Sequence, residues 1–474
     1  MLAPVPGEIM SIESVIAANR FGLGARPGEL KRAEPDPKIY LLEQLQGPSS
    51  QPAYIRDLPR SDKILAEVLR IRKEQRALKK KAGGEPIPES MKMYGSTVRH
   101  FYVDQVGARF RNCVQTDYPF HERLVHFWSN HFAVSADKQP VSAVAGAFEN
   151  EVIRPNLGGK FIDLLLAAEK HPAMILYLDN EKSVGPNSDF AKSGKRRRKK
   201  KRPADINENL AREILELHTL GVDGGYRQGD VTAFAKVLTG WSMGSDQGRQ
   251  KAGTPGAFLF RENTHEPDSQ VIMGERYGQH GVAQGEAVLH KLARHTSTAR
   301  FVADKLVRHF VADDPSVAMV DRVAAVFLES GGDLPRVHEA LVNSKESWQA
   351  PLSKYKTPEE FVISTFRAFD YVPGKTKTII RALEQMGQSP FRPGSPAGWP
   401  DTADHWGGAD ALYKRIEWAN SVARIAGTRV NPLELGEMVL GANFSDHTRT
   451  AISRAESVVQ GTTLLLASPD FQRR

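Results

Sequence analysis

Glu213 and Glu216 stand three residues apart in the stretch Asn207–Gly221, a spacing that puts two carboxylates on one side of a helix. There they could act as general base or as ligands of a divalent metal. Asn209 and Arg212 share that polar arc. A second set lies in His121–Phe132, where Glu122, His126 and Asn130 step along one side at four-residue intervals. His126 could serve as metal ligand or general acid. The third is His265, followed by Glu266 and Asp268 in a polar loop, where it could bind a metal or act as a base. These residues predict a cleft in which Glu213, Glu216, His126 and His265 converge as the catalytic groups. The chemistry would be hydrolytic or metal-assisted, with Asn130, Asn209, Arg212 and Trp241 as further lining.

Each set also has a purely structural reading. Glu208, Arg212 and Glu216 are spaced four apart and can form an ion-pair ladder along one helix. His126 and His131 are five apart, about 140° around a helix, unlike the four-residue spacing of a zincin helix. The turn chemistry of Pro267 and Asp268 explains the His265 loop without any ligand. Trp241, Trp399 and Trp406 read first as rings that anchor turns on the core. His218 falls in the apolar arc of Leu210, Ala211, Ile214, Leu215 and Leu217, opposite the two carboxylates, and cannot close on one ion with them. It is expected buried, neutral and hydrogen-bonded to a backbone group. The helix is expected to begin near Ile206, capped by Asp205 and Glu208, and to end at Gly221.

Several enzyme classes leave no trace. No phosphate-binding glycine loop, dinucleotide fingerprint, serine elbow or zincin motif is present. The lone Cys113 permits no intrachain disulfide and reads as a packed thiol, not a nucleophile. The net charge is +8, but Lys195–Arg202 is a run of 8 basic residues, so the remainder sums to +8 − 8 = 0. Such a run could attract nucleic acid or an anionic surface through phosphate contacts. With no interleaved aromatic rings to stack on bases, a nucleic-acid partner is disfavoured.

The elements that must position these groups are mostly helices. Apolar residues recur at three- and four-residue spacing along most of the 474 residues, and 40% of them are hydrophobic, ample for a core. Short strands are suggested only at Ala257–Arg261 and Val271–Met273. A mainly α, irregular multi-helix bundle follows, with at most a small β-hairpin near 257–274. Breaks fall at Lys79–Ser90, Val184–Arg202 and Met243–Gly256. They read as loops within one unit spanning 1–474, the basic 184–202 segment being an insertion. No apolar run approaches the roughly 20 residues of a membrane span, and no signal peptide is apparent, so a cytoplasmic location is expected.

Asn207–Gly221, His126–Phe132, Leu238–Trp241 and Gly398–Asp401, with Asn19–Gly22 and Ser468–Arg474 towards the ends, together closely resemble the bacterial domain-of-unknown-function 1800 family over nearly the whole chain. The resemblance implies no established activity. It implies a histidine-acidic pair near His265 and a protein partner of sulfatase-like or phosphatase-like type, and the family also has exported members.

Overall fold

The computed structural model describes residues 9–81, 93–196, 205–245 and 252–474. Of the basic run, residues 197–202 lie outside these. Asp189–Arg196, which takes in the first two residues of the run, is a helix where a loop was expected, because the Ser188 hydroxyl accepts the Ala191 amide and caps it.

The protein is mainly helical, as the periodicity predicts. Both predicted strands form, but each pairs outside the expected hairpin. Phe258–Phe260 runs antiparallel to Trp241–Met243, and Gln270–Ile272 to Glu275–Tyr277. No described helix is long and apolar enough to cross a membrane.

Helix Pro119–His131 runs through the core. Its Phe127, Trp128 and Phe132 are buried against Phe310 and Phe161 from other helices. Its other side is buried as well: Glu122 is 2% exposed and Arg123 2%. Sequence periodicity predicts an amphipathic helix with a polar rim, whereas the structure buries most of that rim as well, leaving His126, Ser129 and Asn130 half-buried. Burial of its polar side forces those charges into pairs.

Among the described residues, three helical segments widen into π-turns, at Ala17–Phe21, Glu149–Ile153 and Ile214–Thr219. In the last, the Thr219 hydroxyl donates to the Ile214 carbonyl at 2.6 Å, satisfying an acceptor in the widened turn. The helix carrying Glu213 therefore starts later than expected, at Asn209, and passes into the π-turn after Glu213. Neither Asp205 nor Glu208 caps it: the Asn207 side chain accepts the Asn209 amide. Asn207 is in turn held by the Leu178 carbonyl, a tertiary contact that local pattern does not reveal.

At the C-terminal side, helices Ala409–Ala426 and Val458–Ala467 pack together. The chain then lies antiparallel to Lys354–Lys356, with Arg474 and Lys354 exchanging backbone hydrogen bonds. Arg474, only 1% exposed, is thereby driven into the centre of the molecule.

Candidate functional site

One cavity gathers several of the protein's perturbed ionisable groups. It has a volume of about 80 Å³, enough for a small polar group, and lies between helices Pro119–His131, Thr296–Phe310 and Pro358–Ala368 and the loop Gln388–Asp401. Its chemistry-bearing lining is Arg109, His126, Glu149, His309, Glu359 and Asp401.

His309 and Asp401 form a dyad. The ring Nδ1 lies 2.8 Å from Asp401 Oδ1, while Nε2 is buried without a hydrogen-bond partner among the described residues. Burial lowers the imidazole pKa against the pull of Asp401. Burial also opposes ionisation of Asp401, yet His309, Lys354 and Arg474 hold its pKa down at about 2. The pair at neutral pH is thus a carboxylate accepting Nδ1–H from a neutral imidazole, which leaves a basic lone pair on Nε2.

Asp401 is delivered by Gly398-Trp399-Pro400-Asp401. The side-chain amide of Asn130 donates to the Trp399 carbonyl at 2.9 Å and accepts the Trp399 N–H at 2.6 Å. Gly398 has φ +81°, and a Cβ there would sit 2.4 Å from the Asn130 carbonyl oxygen, so only glycine lets the loop close on the helix.

Glu359 and Glu360 follow the N-cap Thr357 and face different partners. Glu360 accepts from Arg123, Arg474 and the Thr357 amide. Burial works against its charge, but Arg123 and Arg474 outweigh that and hold it well below the usual carboxylate range. Glu359 bonds Arg109, which is shared with Glu149. Arg154 joins Glu149 to Glu122, so this chain sets three carboxylates against two guanidiniums. Burial, reinforced by Glu149 and Glu360, accordingly pushes the Glu359 carboxyl up. Two adjacent carboxyl groups are driven in opposite directions, the pattern that separates an acid from a structural anion.

His126 lines the same cavity, and its Nε2 lies 3.2 Å from Cys113 Sγ. Burial raises the thiol pKa and lowers that of the imidazole, so both are neutral. This is the reverse of an activated thiolate–imidazolium pair. Cys113, fully buried, is a packed thiol, as its sequence context suggests.

Of the four residues expected to converge, His126 is the one at this cavity, with Asn130 beside it; Glu213, Glu216 and His265 do not line it. Glu213 is half-buried, its pKa raised by burial. Glu216 lies 3.4 Å from Arg212, which is also 3.2 Å from Glu208, so the ion-pair ladder exists. Asn209 is exposed. His265 Nδ1 is 2.7 Å from the Thr239 carbonyl, and Glu266 donates its amide N–H to the Thr239 hydroxyl and accepts from the Asn187 side chain on its carboxylate. The histidine-acidic pair thus fastens a loop to the Leu238–Trp241 turn. Trp241 is fully buried with Gly285 packed on its indole, an anchor and not a rim. His218 is fully buried as expected, but its partner is the Glu169 carboxylate at 2.8 Å instead of a backbone group. Helix Phe161–Lys170 brings Glu169 across, which periodicity within one helix does not reveal. His295 accepts the Ser297 amide and caps its own helix.

Sequence reasoning missed His309, Glu359, Glu360 and Asp401. Only Asp401 carried a signal, its place in the Gly-Trp-Pro-Asp motif. Among the described residues no three His, Cys, Asp or Glu side chains are placed to hold a metal ion.

No curated protein and no solved structure gives a significant match to this chain. A family model does, over residues 16–473, and takes in every residue of the cleft. The chain belongs to the family described as protein of unknown function, DUF1800.

Proposed function

We propose that the protein is an enzyme of hydrolytic type, acting by general acid–base catalysis on a small polar group admitted to the cleft. His309, oriented by Asp401, is the base. It takes a proton from water on Nε2 as that water attacks the substrate, and the Asp401 carboxylate stabilises the imidazolium that results. Glu359, whose pKa is raised by burial and by its carboxylate neighbours, is the acid that gives a proton to the leaving group. Arg109 holds that carboxyl in place, and His126 forms the neutral wall beside it. Glu213, Glu216 and His265 take no part in this reading. The observation that carries it is the unpaired Nε2 of a carboxylate-bound histidine at the cavity wall.

The test is a panel of chromogenic esters, amides and phosphate esters offered to the intact protein and to His309→Ala and Glu359→Gln. Turnover by the intact protein should fall at least a hundredfold in His309→Ala. Equal turnover in both would sink the proposal.

A non-catalytic role with a sulfatase-like or phosphatase-like partner is a second reading. Helix Ala409–Ala426 favours it by turning Leu412, Tyr413 and Ile416 outward at 40%, 63% and 38% exposure. Binding of such a protein to the intact chain, lost in Ile416→Asp, would support it.

A further inference from the structure

A second cavity, of about 400 Å³, opens between helix Met93–Gln115 and helix Thr376–Gln385, closed at one end by Gln139 and Ser142. Gly107 sets the two helices close together: a Cβ there would lie 2.4 Å from the Thr376 hydroxyl. The charged lining is Arg99, Lys377, Arg381 and Arg392 against one carboxylate, Glu384, formally 4 − 1 = +3.

These cations differ from the buried, paired guanidiniums of the fold. Arg109, Arg154 and Arg367 are each bound to carboxylates. Among the described residues, Arg99, Lys377 and Arg381 have neither an ion pair nor a side-chain hydrogen bond. Lys377 and Arg381 stand one turn apart on the same helix, a like-charge pair that disfavours the helix unless an anion lies between them. Arg392 lies over the Tyr102 ring at 5.0 Å, and its buried Nε has no hydrogen-bond partner. The nearest carboxylate, Asp137, is 4.0 Å away.

We infer that this cavity is a binding site for a small polyvalent oxyanion, a phosphate-bearing ligand with two or three negative charges. Guanidinium groups match such ligands because their planar forks give paired, charge-assisted hydrogen bonds to phosphoryl or carboxylate oxygens. The size falls in the range of small-molecule sites and exceeds what a single inorganic phosphate would fill. The site also shares a wall with the acid–base cleft. Gln388, Ser389, Pro390, Phe391 and Pro393 line the cleft, whereas Arg392 lines this cavity. Tyr102, from the anion side, donates its hydroxyl to the Pro390 carbonyl at 2.8 Å. The site stands whether or not the cleft is catalytic.

Titration calorimetry of the full chain at constant ionic strength, with pyrophosphate, inorganic phosphate and citrate as probes, tests the inference. Pyrophosphate should bind one to one and more tightly than inorganic phosphate. Arg99→Glu with Arg381→Glu should weaken it at least tenfold, with the melting temperature of the unliganded protein unchanged because both side chains are exposed. If that pair fails to fold, Arg99→Gln with Arg381→Gln should show the same loss. Deleting residues 197–202 should leave binding intact. Tighter binding of citrate than of pyrophosphate would overturn the phosphate assignment. Absence of saturable binding, or binding unchanged by the paired substitutions, would overturn it.

Discussion

Asn130 holds both backbone polar groups of Trp399, as donor to its carbonyl and acceptor of its amide. This two-point clasp joins the helix that carries His126 to the loop that carries Asp401, and Asp401 in turn fixes the tautomer of His309. The conformation of a loop distant in sequence therefore depends on one side-chain amide.

Asn130→Ala should cost about 1–3 kcal/mol, the penalty for stranding half-buried backbone groups. Asn130→Asp should not rescue it, since a carboxylate cannot donate to the Trp399 carbonyl. Denaturant titration measures the loss. Nitrogen NMR of His309 should show the Nδ1–H tautomer weakened in both variants. Unchanged stability in Asn130→Ala would show that the loop is held by other contacts.

The structure also shows why some of this was legible and some was not. Helical periodicity identified Leu210, Ile214 and Leu215 as core, and all are fully buried. The motif segments His126–Phe132 and Gly398–Asp401 were noticed separately, yet nothing in their spacing says that they meet. Glu213 and Glu216 looked chemical because two carboxylates on one arc are visible in sequence. Glu359 and His309 looked ordinary because their meaning comes from Arg109 and Asp401, located far away along the chain. Pattern within one helix reports burial well and reports cross-chain partners not at all.

His218 and Glu169, both fully buried, are the second such pair. His218→Leu would leave a buried carboxylate without its partner and should destabilise by about 3–5 kcal/mol. The double variant His218→Leu with Glu169→Leu should recover much of that. A double-mutant cycle by chemical denaturation decides it: additive losses would mean that the two side chains are energetically independent. By contrast, Arg212→Ala breaks a half-exposed ladder and should cost no more than about 1 kcal/mol.

His338 gives the fold a pH dependence. Its Nε2 accepts the Trp128 indole N–H at 3.2 Å, and burial depresses its pKa to about 3. The unfolded chain binds this proton near pH 6.5, the folded one only near 3, so its stabilising contribution is present above 6.5 and is lost as the pH falls between the two. Across that window His338 alone contributes a slope of about 1.4 kcal/mol per pH unit. His338→Gln, which keeps an acceptor for the indole, should flatten the acid limb of the stability profile by about that amount. An unchanged slope would show that His338 is already protonated in the folded protein.

The adjacent residues Glu359 and Glu360 should respond in opposite ways to the same substitution. Glu360 is ionised between Arg123 and Arg474, so Glu360→Gln removes the charge that balances two buried guanidiniums, a loss of about 3–5 kcal/mol. The sign of its pH dependence follows from its lowered pKa: the stability it contributes is present above the unfolded value near 4.5 and is lost as the pH falls through the folded one. Glu359 has the raised pKa, so ionising it costs stability as the pH rises above 4.5. Glu359→Gln mimics the protonated form that burial already favours and should fold as well as the parent, with a flatter profile on the rise from pH 4.5. If the cleft is catalytic, that stable variant should still be inactive, because an amide cannot give up a proton to a leaving group. Thermal melts across pH 4–8 on both variants separate the two roles, and equal destabilisation by Glu359→Gln and Glu360→Gln would remove the acid from the proposed mechanism.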